Sequence, residues 1–228
     1  ESLRSDPNSV RMLCEAFIDN LARLHTLDFR AAGLAELGRP VGYIERQVNG
    51  WNKRYLHAKT DEHDELDRLG QWLLDHRPSD GRTSLIHNDY KYDNLMLAAD
   101  DPTRIVAVLD WEMSTVGDPL MDLGTTLSYW VEADDSEAQL KSAFGPTMIA
   151  GSMSRNQLVE RYTEQTGVEI PTILFYYCFG LFKLAVIVQQ IYARYLRGQT
   201  TDPRFANLNT RVAVLGKTGL RAITTGSM

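Results

Sequence analysis

Apolar positions recur at helical spacing through most of this chain, and the period shortens to that of strands in one central stretch. Val10, Leu13, Cys14, Phe17, Leu21 and Leu24 mark one face of a helix over 10–27. Asp6-Pro7-Asn8-Ser9 supplies its cap and first turn, and His25 at its C-terminal end reads as a cap, where the dipole favours a cation, with contact to the active site as the alternative. Tyr43, Ile44, Val48, Trp51, Tyr55 and Leu56 predict a second helix over 41–58, with Lys53, Arg54 and His57 on part of its other face. Leu66, Leu69, Trp72 and Leu73 predict a third over 64–76, opened by acidic residues, and Pro78-Ser79-Asp80-Gly81 then breaks the chain. Leu95–Ala99 and Ile105–Leu109 are short apolar runs joined by Asp100-Asp101-Pro102-Thr103, the pattern of a hairpin whose second strand is buried. Residues 113–117 read as a short loop. Asp118-Pro119 reads as a helix start, and the helix runs through Asp122, Leu123, Leu127 and Trp130 into a solvated acidic turn at Asp134-Asp135-Ser136.

The C-terminal part is helical throughout. Ser154 and Gly167 punctuate an amphipathic helix, and a last helix spans 205–223. Between them Ile173–Val188 is almost entirely apolar. A membrane span requires about twenty such residues. This run is shorter and carries Lys183, so a buried central helix is expected, the lysine stem packed and its amine reaching a carboxylate or the surface, with a functional lysine as the alternative.

Length admits one domain or two small ones with a real core. A net charge of −6 argues against a non-specific nucleic-acid binder, which would want a basic stripe. Cys14 and Cys178 are too few for a disulfide scaffold or zinc site and lie in apolar contexts, so buried free thiols and a reducing, cytoplasmic setting are expected. Gly216-Lys217-Thr218 lacks the preceding strand and glycine of a Walker A loop, and no internal repeat is present.

The hairpin region also carries the chemistry. His87-Asn88-Asp89, then Asn94, then Asp110-Trp111-Glu112 after an apolar run, then Asp118-Pro119-Leu120-Met121-Asp122, form an ordered set. The spacing His-x-Asp-x-x-x-x-Asn followed by an Asp after a strand is the layout of a phosphoryl-transfer site. Such a reaction asks little covalent chemistry of the protein and much positioning and charge neutralisation. A carboxylate at Asp89 orients the attacking hydroxyl and accepts its proton. Asn94 and Asp110 offer oxygen ligands of the kind Mg²⁺ takes, with ATP phosphates filling other positions. The hairpin brings Asn94 and Asp110 to one end of the same small sheet.

At these residues, about a fifth of the chain, the sequence resembles the aminoglycoside phosphotransferase and choline kinase-like family, which has the protein-kinase fold. The wording HNDYKYDN, VLDWE and GDPLMDL is most similar to bacterial phosphotransferases related to the kinase-like domain fused to some acyl-CoA dehydrogenases. The resemblance implies an α+β, mostly helical fold: a kinase-like large lobe over 1–228, with substrate-side helices at about 41–76, a catalytic segment at 85–130 and a small hairpin bearing the site. It implies Asp89 as the base, Asn94 and Asp110 as Mg²⁺ ligands, and Asp122 with His87 as supports of the catalytic loop. It places Lys91 near the transferred phosphate, with a solvated lysine as the alternative, and leaves Glu112 between a metal- or substrate-side role and a surface one. Trp51, Arg54 and Tyr55 are candidates to line the acceptor pocket, with core aromatics and a solvated arginine as the alternative. No Arg precedes Asp89, so activation through a phosphorylated loop is not implied.

The small β-rich lobe that covers ATP in this family, with its phosphate loop and strand lysine, has no counterpart pattern here. It is expected from the same polypeptide outside the sequence, and the large lobe alone is expected to bind ATP weakly and turn over little. The implied partners are a small hydroxylated molecule and that lobe, with neither nucleic acid nor membrane. Kinship with the acyl-CoA dehydrogenase branch points to a hydroxylated acyl or other small metabolite. A non-catalytic kinase-like module and a metal-dependent phosphohydrolase stay open as alternatives.

Overall fold

The computed structural model describes residues 6–228, built around the long apolar run. Helix α7 (Leu174–Leu196) buries residues on every side, among them Phe175, Tyr177, Phe179, Phe182 and Val186. A helix apolar all round needs neighbours all round. By length and composition α7 could cross a membrane, but most of it is buried inside this molecule. It is enclosed by α2 (Tyr43–Ala58), α4 (Pro119–Ser128) and α8 (Leu208–Thr225), while α3 (Asp64–Asp75) packs on both α7 and α8. Gly124 on α4 and Gly180 on α7 allow the tightest of these approaches, because a Cβ on either residue would run into backbone of the facing helix. α4 is thereby seated directly on the core helix, which fixes the side chains it sends toward the site.

On the other flank α1 (Pro7–Thr26) packs on α6 (Arg155–Thr166). Asp6 caps α1, accepting from Asn8 N–H at 3.1 Å, and Pro7 fills the first turn. α6 opens with a reciprocal Ser154–Gln157 capping box and stops at Gly167 in the left-handed conformation. Arg161 ties the pair together through both oxygens of Asp19, at 2.7 and 2.8 Å.

Four short strands make two antiparallel ladders. β2 (Leu95–Leu97) pairs with β3 (Ile105–Val108), Leu95 opposite Val108, with an irregularity between Met96 and Leu97. This is the expected hairpin, except that its strands are only half-buried and Met96 and Val106 are exposed, because a two-stranded ribbon has a second face that no other element covers. β1 (Ser84–Ile86) pairs with β4 (Thr115–Gly117). The stretch 113–117, read from the sequence as a loop, is therefore largely strand: three residues are too few to show a period, and their pairing partner is some thirty residues away.

Other departures share a tertiary origin. α4 ends at Ser128 rather than near Trp130. The acidic turn is not solvated: Asp135 is buried, paired with both terminal nitrogens of Arg155 at 2.8 Å. Burial pushes the Asp135 carboxyl up, but the guanidinium outweighs it and holds the group below the usual range. A short α5 (Glu137–Lys141) follows, capped by Ser136. Leu56 on α2 is exposed and Trp72 on α3 half-buried against His76. Cys14 and Cys178 are buried free thiols, and burial pushes Cys178 up to about 12. Gly216-Lys217-Thr218 lies within α8, Gly216 against Leu66.

Candidate active site

β1 delivers His87-Asn88-Asp89 from a fully buried strand, and the chain turns at once. Asn88 adopts φ 68°, the left-handed region that Asn tolerates better than most residues. That turn is held from below by α4. Asp118 caps the helix, accepting from Leu120 N–H at 2.8 Å, and this register places Asp122 one turn in, facing the loop. The Asp122 carboxylate is wholly buried. It accepts the backbone N–H of His87 at 2.6 Å, that of Asn88 at 2.8 Å, and Nε2–H of His25 at 3.1 Å. Burial pushes its pKa up, but these donors and the nearby Lys183 outweigh that and hold it below the ordinary carboxylate range. His25 is thus not a cap on α1: it bridges Asp122 and the Tyr162 hydroxyl, 2.8 Å from its Nδ1.

Asp89 is partly exposed, and three donors fix its carboxylate. Tyr129 OH donates to Oδ1 at 2.7 Å, while Lys91 Nζ and Asn94 Nδ2 reach Oδ2 at 2.7 and 2.9 Å. Burial pushes the Tyr129 phenol up and the adjacent Asp89 charge adds to it, so this hydroxyl stays a donor. Asn94 Nδ2 also donates to the Asp89 carbonyl at 2.8 Å, which leaves its Oδ1 with no protein donor among the described residues.

The same loop is stitched to the hairpin. His87 Nε2 donates to the Leu109 carbonyl at 2.9 Å, and Leu109 N–H donates to the Asn94 carbonyl at 2.8 Å. With its proton on Nε2, His87 accepts the Asp89 N–H at Nδ1, 3.3 Å away, so one ring steadies both the turn and the strand end. Asp110 follows immediately, exposed, at φ 63°. Its carboxylate has no hydrogen-bond or ion-pair partner among the described residues, and Glu112, in the next turn, is exposed as well. An amide oxygen on Asn94 and a carboxylate on Asp110, neither spent on a protein donor, are hard oxygen ligands that fit a cation such as Mg²⁺.

On the other side of Asn88 lies a cavity of about 320 Å³. Trp51 and Arg54 line it, the guanidinium 4.6 Å from the indole centroid. Tyr55 does not: it turns into the core, edge-on to Phe182, because on α2 it falls on the far side of Trp51 from Arg54. Three residues that local pattern did not assign complete the frame. Lys183 lies at the cavity wall and donates to the Asn88 carbonyl at 2.7 Å; burial pushes its pKa down to about 8. Tyr43 OH donates to Asn88 Oδ1 at 3.2 Å. Tyr129 had a legible signal, since it stands seven residues after Asp122 and so on the same helical face.

Residues 1–147 match the family model described as "Phosphotransferase enzyme family". The chain is 34% identical over 210 residues to acyl-CoA dehydrogenase family member 11 of Rattus norvegicus, covering 90% of this chain and 27% of that protein. It therefore spans about a quarter of that relative's length. The solved structure of an aminoglycoside phosphotransferase-like protein from Ralstonia eutropha superposes with a TM-score of 0.84 at 29% identity, over 96% of this chain and 67% of that one. The GDP complex of aminoglycoside 2'-phosphotransferase-IIIa shares the fold, with a TM-score of 0.57 at 12% identity over 98% and 66% of the two chains. The chain belongs to the phosphotransferase enzyme family and has its protein-kinase-like fold.

Proposed function

We propose that this chain is the large lobe of an ATP- and Mg²⁺-dependent phosphotransferase that moves the γ-phosphoryl group to a hydroxyl of a small molecule. The observation that carries the proposal is the Asp89 carboxylate, partly exposed on a turn pinned by Asp122 and oriented by Tyr129, Lys91 and Asn94. Asp89 takes the proton of the acceptor hydroxyl as its oxygen bonds to phosphorus and the bond to the ADP leaving group breaks. Lys91, paired with Asp89, places positive charge beside the transferred group. Asn94 and Asp110 would hold Mg²⁺, which would supply neutralisation of phosphate charge. The small lobe is assigned to the rest of a longer polypeptide, a reading supported by the share of the relatives that this chain spans.

ATP consumption by the full-length protein, with and without alcohol-bearing compounds, tests the proposal. Hydroxyl-dependent turnover that is lost in Asp89→Ala and in Asp110→Ala supports it. Phosphate release from a phosphoester without ATP would instead assign a phosphohydrolase, and neither activity would leave a non-catalytic module.

A further inference from the structure

The cations of this acidic protein are unevenly spent. Thirteen lysines and arginines have no carboxylate partner among the described residues, although the chain carries 30 acidic residues, and six of the thirteen line neither of two basic cavities. The other seven, among them Arg39, Lys53, Arg54, Arg194 and Arg197, line two cavities that share Arg54. One is the 320 Å³ cavity beside Asn88, whose wall also includes Lys183. The other, about 570 Å³, lies between α2 and α7 and is walled by Lys53, His57, Arg194 and Arg197. Among the described residues no carboxylate lines either one. A merely solvated basic face would be interleaved with acids, as α3 is. Here like charges converge on concave surfaces, which focuses a positive potential.

We infer that the acceptor is an anion: its hydroxyl end lies at Asn88–Asp89, and a phosphate- or carboxylate-bearing arm passes Arg54 into the α2–α7 groove. The hydroxyl end rests on the phosphotransferase reading; the anion site rests on the two cavities alone.

Alcohols of matched length bearing a phosphate monoester, a carboxylate, a methyl ester or an amine are assayed with the full-length protein. The anionic pair is turned over with kcat/KM roughly tenfold or more above the ester, and Arg54→Glu shifts preference toward the amine. Arg194→Gln with Arg197→Gln raises KM for the phosphate-bearing alcohol more than for the carboxylate if phosphate is the native arm, and the reverse if carboxylate is. Preference for the ester or amine in the unaltered protein, an unchanged ratio in Arg54→Glu, or an unchanged KM for both anions in the double variant overturns the inference. If no alcohol is turned over, calorimetry with inorganic pyrophosphate decides separately: affinity falling roughly tenfold in Arg54→Gln/Arg194→Gln supports the anion site, and equal affinity overturns it.

Discussion

Asp122→Asn removes the charge beneath the 87–89 turn with almost no change of shape. The carboxylate accepts three donors: two backbone amides and His25. Oδ2 accepts two of the three donors, His87 N–H and His25, so an amide that keeps its oxygen there turns NH₂ toward Asn88 N–H alone, and that one buried donor loses its partner at about 1–3 kcal/mol. That loss, about 2 kcal/mol, corresponds to a fall in Tm of about 4–8 °C for a lobe of this size. In the full-length protein, thermal unfolding reads the stability loss, and hydrogen exchange over 84–94 reads its location. The sign with pH follows from the lowered folded pKa: the unfolded chain binds the proton first as pH falls, so the stabilisation is present above about pH 4 and is lost below it. Asp122→Asn lacks that part of the acid limb. A variant that melts within about 2 °C of the unaltered protein, with exchange over 84–94 unchanged, would show that Asp122 does not hold the turn.

Lys183 titrates near 8 when folded and near 10.5 when unfolded. The unfolded chain therefore holds more protons between those values and stability rises with pH there, by about 3 kcal/mol; Lys183→Met loses this rise in urea denaturation followed across that pH range. Tyr129→Phe removes one donor from Asp89 and lowers kcat about tenfold with a stability change under about 1 kcal/mol, checked by steady-state kinetics and thermal unfolding. Arg155→Ala strands the buried Asp135 carboxylate and costs about 3–5 kcal/mol by urea denaturation.

Much of this was legible in the chain. Helix periodicity found α1, α2, α3, α6, α7 and α8, because each buries one face or all of them, and residues at Asp6, Asp118, Ser154 and Gly167 marked helix ends. The hairpin followed from two apolar runs and an Asx-Pro turn. What local pattern did not carry were pairings across sequence: β1 with β4, Asp135 with Arg155, His25 with Asp122, Lys183 with the Asn88 carbonyl. Each is made by a residue whose own neighbourhood reads as something plainer, a loop, a solvated turn, a helix end, a packed stem.

We propose that Asn94 and Asp110 hold the metal beside Asp89. A crystal structure of the full-length protein with ADP and Mn²⁺, read by anomalous scattering, tests it most directly. The ion is expected about 2.0–2.3 Å from Asn94 Oδ1 and an Asp110 oxygen, with Asp89 facing the same cleft. An ion bound elsewhere, with Asp110 turned to solvent, would contradict it.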